Sequence, residues 1–222
     1  MRPNCRPKTK RGAPGFPMPK HAFKFPREVI EAIKRHVRSA VEALPPERYR
    51  QEPNYTAALL GRLEGVAYEG SHGKVIFSAT VFDDRGPNSA ESKYGADHAI
   101  TATISDGTTT IKKAILVQAK LGHVSDLSDR DQAFLRKQIE KMKNVVPSPK
   151  VMEIPEFNGR RYPAIISGNR VLEGEDYTAM QLPEYFVARV TTTLDGCTDP
   201  EVVEAVNDST LSRLNVHAKI RT

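Results

Sequence analysis

Apolar residues recur at helical spacing between Pro26 and Leu44, where Val29, Ile30, Ile33, Val37, Val41 and Leu44 share one face. Pro45-Pro46 ends that helix, because proline lacks the amide hydrogen and pushes the preceding residue out of the helical region. Ala58, Leu59 and Leu63 predict a second helix over about 54–63. Residues 74–83 (KVIFSATVFD) are rich in β-branched and aromatic side chains and read as a strand. Two further runs, 98–105 (HAITATIS) and 108–120 (TTTIKKAILVQAK), flank Asp106-Gly107 and predict a β-hairpin with a two-residue turn. Ser128, with Asp131 three residues later, resembles a capping box. It opens a helix through about Asn144 that carries Phe134, Leu135, Ile139 and Met142. Residues 150–172 predict another hairpin around Asn158-Gly159, and 183–194 and 199–213 predict closing helices. The order ααβββαββαα describes a mixed α/β domain built around one sheet.

Composition narrows the picture. The chain has 222 residues, 39% hydrophobic and 27% charged, enough to bury a core in one large domain. Its net charge of +6 is uneven. Residues 1–27 contain Arg2, Arg6, Lys8, Lys10, Arg11, Lys20, Lys24 and Arg27, six of the 16 prolines and no acid, leaving 25 basic against 27 acidic residues beyond them. This segment reads as a flexible basic Pro-rich arm able to seek phosphate, or equally as a solvated tail. Residues 28–222 read as a single domain. Apolar runs fall short of a membrane span, and the basic N-terminus lacks the apolar stretch of a secretory signal, so a soluble cytoplasmic protein is expected. The two cysteines, Cys5 and Cys197, have no closely spaced partners, which argues against a disulfide scaffold or structural zinc and for free thiols. There is no HExxH, GxSxG or Walker A sequence, so zinc protease, serine hydrolase and P-loop readings have no support.

The predicted hairpin gathers the candidate chemistry. A two-residue turn sets Asp97 opposite Leu116, and side-chain alternation then points Gln118 and Lys120 to the same face as Asp97. Gln118 falls on the diagonal, roughly 7–8 Å from Asp97, close enough for one ion to bridge them. The run Ala114-Ile115-Leu116-Val117 is typical of a buried strand, and its polar continuation needs partners. Read from spacing alone, Gln118 and Lys120 fit equally the solvated end of a strand.

Glu91-Ser-Lys-Tyr-Gly-Ala-Asp97, a hairpin, and then Val117-Gln-Ala-Lys120 resemble the PD-(D/E)xK nuclease superfamily, in the QxK variant of Mrr-like and defence-associated nucleases. The resemblance spans roughly residues 50–145, from Glu52-Pro-Asn-Tyr-Thr56 and its apolar helix to the helix carrying Gln138. It implies a restriction-endonuclease-like α/β core, a central mixed sheet flanked by helices. It further implies a metal-dependent nuclease hydrolysing phosphodiester bonds in DNA, an endonuclease of restriction or anti-phage defence. Mg²⁺ is the expected cofactor, with Mn²⁺ able to substitute, held by Asp97, Gln118, the Ala119 carbonyl and Glu91. Asp97, Gln118, Lys120, Glu91 and Glu52 are the expected catalytic set, with Lys120 orienting the attacking water. The glutamine replaces the commoner acidic residue and removes one negative charge, which Glu91 or Glu52 would restore. Glu52 also suits ordinary helix-start chemistry.

The expected partner is DNA, with a homodimer or a larger defence complex, because double-strand cleavage by a single-site domain usually needs two copies. The alternative function is a non-catalytic nucleic-acid-binding protein that retains the fold. His72, His98 and His123 flank the expected site, and Arg136, Lys137, Lys141 and Lys143 form a basic cluster, with Arg160, Arg161 and Arg170 as further candidates for backbone contact at the same level. Histidines near strand ends and lysine-rich helix faces are more commonly solvated or structural.

Overall fold

The computed structural model describes residues 23–45, 48–82, 86, 89–155, 162–192 and 194–221. Most of the basic arm (1–22), Arg160, Arg161 and the turn at Asn158-Gly159 lie outside the described residues. At the arm's described end, Phe23 and Phe25 pack against the core.

Two helices, α1 (Arg27–Glu42) and α2 (Glu52–Leu63), precede the sheet, as their periodicity predicts. The strands are β1 (Gly65–Gly70), β2 (Gly73–Thr80), β3 (His98–Ser105), β4 (Thr110–Leu121), β5 (Lys150–Ile154), β6 (Ala164–Ser167), β7 (Met180–Gln181) and β8 (Arg213–Ile220). Among the described residues they form one mixed sheet in the order β1-β2-β8-β3-β4-β5-β6-β7. The pairs β3/β8 and β4/β5 are parallel and the others antiparallel. Short helices α3 (Ala90–Tyr94) and α5 (Gly168–Glu173) join α4 (Asp129–Lys143), α6 (Leu182–Tyr185) with its π-helical continuation over 186–190, and α7 (Pro200–Asn207).

The sheet is covered on both faces. On one, α1, α2 and α6 bury Ile33, Leu59 and Phe186 against Phe77, Val117 and Val216. On the other, α4 and α7 bury Leu135, Ile139 and Val202 against Leu116, Val151 and Ile166. A strand buried on both faces reads as a continuous apolar run rather than an alternating one, which is why β4 holds Ala114 to Val117 without interruption.

Three expectations are corrected. The hairpin loop has four residues, not two, because Asp106 Oδ1 accepts hydrogen bonds from the amides of Thr108 and Thr109 and holds an Asx-type turn. The register consequently moves by two positions, setting Ala99 opposite Leu116 and His98 opposite Val117. The final predicted helix is also too long: α7 stops at Asn207 and the chain enters β8, a central strand lying between β2 and β3. Finally, Cys197 is disulfide-bonded rather than a free thiol. Close spacing along the chain, the basis of that expectation, says nothing about a distant pairing, and Cys5 lies outside the described residues.

Candidate functional site

Side-chain direction alternates along a strand, so a register change of two residues preserves which face each side chain uses. Asp97 and Gln118 therefore still share a face, and the shift turns a diagonal relation into direct contact. Gln118 Nε2 donates to Asp97 Oδ2 at 2.6 Å, and the Ala119 amide donates to the same oxygen at 2.6 Å. The Asp97 amide donates in turn to the Val117 carbonyl at 3.0 Å, tying the residue before β3 to the end of β4. Gly95 sets up this approach. It closes α3 with φ of 73°, and a Cβ there would lie 2.4 Å from the Gln138 carbonyl of α4, so the chain turns into Asp97 through a position that suits glycine.

Lys120 projects to the start of α2, where its Nζ donates to Glu52 Oε2 at 2.9 Å. Glu52 Oε1 accepts the Leu121 amide at 3.2 Å, so one carboxylate clamps the end of β4 through both oxygens. A carboxylate in the first turn of a helix is favoured by the helix dipole. Here the helix-start position and the ion pair with Lys120 belong to the same residue. Glu91, exposed on α3, lines with Asp97 a cleft of about 390 Å³.

Burial pushes the Asp97 carboxyl up to about 7. The Ala119 amide and the Lys120 ammonium pull it down, while Glu91 and Glu52 add to the rise. A carboxyl perturbed by burial and by neighbouring charges, opening on a cleft, has the electrostatic character of a functional site.

The donor set suits a hard divalent cation. Gln118 is 1% exposed and its Oε1 has no hydrogen-bond partner, while its Nε2 also donates to the Ala119 carbonyl at 3.3 Å. The amide nitrogen thus sits between the two oxygens that the resemblance assigns as ligands. Turning the amide over would present Oε1 there instead, an arrangement that needs a cation to be stable beside a carboxylate. Among the described residues no three His, Cys, Asp or Glu side chains converge on one point, so the fit rests on one carboxylate, one amide and one carbonyl.

No family model, curated protein or solved structure matches this chain.

The other expected residues separate. His98 is buried, its Nδ1 has no hydrogen-bond partner, and burial lowers its imidazole to about 4, so it belongs to the interior. His72 lies 3.7 Å from Glu28 at the turn between β1 and β2. His123, just beyond β4, stands 3.4 Å from Glu153 Oε2. Gln138 is buried on α4, with Oε1 unpartnered. Within the basic cluster, Arg136 donates to the Leu172 carbonyl, Lys141 to the Ser92 carbonyl, and Arg170 pairs with Glu175, while Lys137 and Lys143 are exposed.

Sequence reasoning missed two features. Glu153 is a buried carboxylate opposite Lys120 in the β4/β5 register, and it accepts the Val124 amide. Its signal was a single acid inside the otherwise apolar stretch 151–154. Phe82, Thr210, Leu211 and Ser212 line the cleft beside Asp97, and they meet there only because β8 returns to the centre of the sheet.

Proposed function

We propose that this chain is a metal-dependent nuclease with a restriction-endonuclease-like core, hydrolysing phosphodiester bonds in DNA as an endonuclease of restriction or anti-phage defence. The observation that carries the reading is the meeting of Asp97, Gln118, the Ala119 carbonyl and the Lys120–Glu52 pair where α2, β3 and β4 adjoin. Hydrolysis requires a water oxygen to form a bond to phosphorus, the bond to the leaving oxygen to break, and that oxygen to gain a proton. Bound Mg²⁺ or Mn²⁺ would supply an acidified water and offset negative charge on the phosphate. Asp97, Gln118 and Ala119 would hold the ion through oxygen, with Glu91 restoring the charge that the glutamine omits. Lys120 presents its ammonium to the phosphate and orients the water, and Glu52 fixes the lysine's position.

The hydrogen bond between Gln118 and Asp97 favours one second reading, since it satisfies the carboxylate without a cation. In that reading the chain binds nucleic acid without cutting it. Cleavage of plasmid and single-stranded DNA with Mg²⁺, Mn²⁺ or EDTA, beside Asp97→Ala and Lys120→Ala, tests the two. Metal-dependent cutting lost in both variants supports the nuclease, whereas binding without cutting, unaffected by either change, supports the second reading. A homodimer and a cytoplasmic site of action belong to the proposal.

A further inference from the structure

The cleft beside Asp97 has a chemistry of its own. Its walls are apolar at Pro53, Ala57, Val81, Phe82 and Leu211, and polar at Asn54, Thr56, Thr210 and Ser212. The Phe82 ring is 38% exposed, high for an aromatic side chain beside a central strand. The Arg213 guanidinium lies over that ring, 5.6 Å from its centroid, and donates to the Ser209 carbonyl at 3.2 Å. The Phe82 backbone is anchored as well, its amide donating to Ser212 Oγ at 3.1 Å. A held aromatic ring with a cation stacked on it is a platform for a flat π-system. A cleft of about 390 Å³ is of small-molecule size, large enough for one nucleotide.

The cleft's other end carries the carboxylates of Asp97 and Glu91. They disfavour a bare anion, so what binds there brings a neutral, flat group to the Phe82 end. A nucleotide whose phosphate reaches Asp97 together with a divalent cation meets both requirements. We propose that this cleft receives one unpaired nucleobase, stacked on Phe82, next to the phosphate to be cleaved. The substrate class is therefore single-stranded DNA, or a nucleotide displaced from its duplex. The proposal rests on the nuclease reading for what happens at Asp97, but base stacking is measurable without cleavage.

The chain has no tryptophan, so Phe82→Trp installs a single fluorescent reporter on the platform. Its emission would be titrated in Ca²⁺ in place of Mg²⁺, which supplies a cation for Asp97 and Glu91, with a short single-stranded oligonucleotide, the same oligonucleotide with abasic sites, and a fully paired duplex. The expected result is quenching by the base-bearing single strand and none by the abasic strand or the duplex. Phe82→Ala, with folding checked by circular dichroism, should weaken single-strand binding roughly 5- to 150-fold, the range for loss of one stacked base, and leave abasic-strand binding unchanged. Equal quenching by base-bearing and abasic strands, or no quenching while DNA binds elsewhere on the protein, overturns the stacking cleft. Cleavage is scored separately on the wild type. Quenching without cleavage keeps the cleft and removes the nuclease, and cleavage without base-dependent quenching keeps the nuclease and removes the cleft.

Discussion

Gln118 Nε2 lies 2.6 Å from Asp97 Oδ2, and the same nitrogen reaches the Ala119 carbonyl, so an amide group stands between the two oxygens best suited to a cation. The buried and unpartnered Oε1 of Gln118 marks the cost of that arrangement, since a buried acceptor without a donor is unfavourable. Replacing the amide by a carboxylate removes the donor and adds a like charge beside Asp97. Gln118→Glu should therefore lower thermal stability at neutral pH in EDTA. Mg²⁺ or Ca²⁺ should restore it by several degrees, more than either raises the wild type. Melting curves with and without cation test this independently of activity. Equal behaviour of variant and wild type would remove the cation site.

The pair between Lys120 and Glu52 gives a second expectation. Both side chains are largely buried, the distance is 2.9 Å, and Glu52 also accepts the Leu121 amide. Lys120→Ala should reduce cleavage by about 100-fold or more, on the scale of losing an electrostatic stabiliser. Glu52→Gln keeps an acceptor for Leu121 but loses the ion pair, so its loss of activity should be smaller. A double-mutant cycle on stability should show coupling of about 1 kcal/mol, the top of the range for exposed pairs, because this pair is partly shielded from water. Coupling near zero would mean that Glu52 does not hold the lysine.

Lys113 predicts a structural effect remote from the site. It is fully buried on β4, and its ammonium donates to the carbonyls of Arg189, Thr192 and Asp195, where the chain leaves the π-helical turn. Lys113→Met matches the length of the stem but supplies no donor, leaving the three carbonyls facing an apolar side chain. The loss should be about 3 kcal/mol, read as a lower urea midpoint at unchanged slope. Cleavage per folded molecule should stay the same, because the contacts lie away from Asp97.

These expectations differ in how far the sequence revealed them. The contact between Asp97 and Gln118 was legible as a shared face, because alternation survives an even shift in register. The shift itself was not, since it depends on Asp106 capping a four-residue loop that a short turn motif mimics. β8 alternates cleanly, with Leu214, Val216, Ala218 and Ile220 buried. The helix predicted over 199–213 stops where this strand begins, and the alternation beyond it went unread. Losing that strand hid the cleft, because Phe82 and Ser212 are far apart in the chain and meet only through it. Lys113 sits beside Lys112 in a segment that reads as solvated, and only the carbonyls gathered around it explain a buried cation.

Asp97 and His98 are adjacent, and burial acts on them in opposite directions. Asp97 is raised from 3.8 to about 7, so between those values the folded state holds a proton that the unfolded chain has released. Stability from this group is therefore lost as pH rises through that window. His98 is lowered from 6.5 to about 4, so between those values the unfolded chain takes up a proton that the folded state refuses. Its effect is lost stability as pH falls, by about 3 kcal/mol across the window at 1.36 kcal/mol per unit. The two slopes oppose one another between about pH 4 and 6.5, and the wild type should show a flattened profile there. Asp97→Asn removes the first slope, so the variant should lose stability more steeply than wild type as pH falls from 6.5 to 4. His98→Gln removes the second, and this variant should gain stability relative to wild type over the same fall. Denaturation midpoints at half-unit pH intervals measure both. Parallel profiles for all three proteins would show that neither group carries its proton differently in the folded and unfolded states.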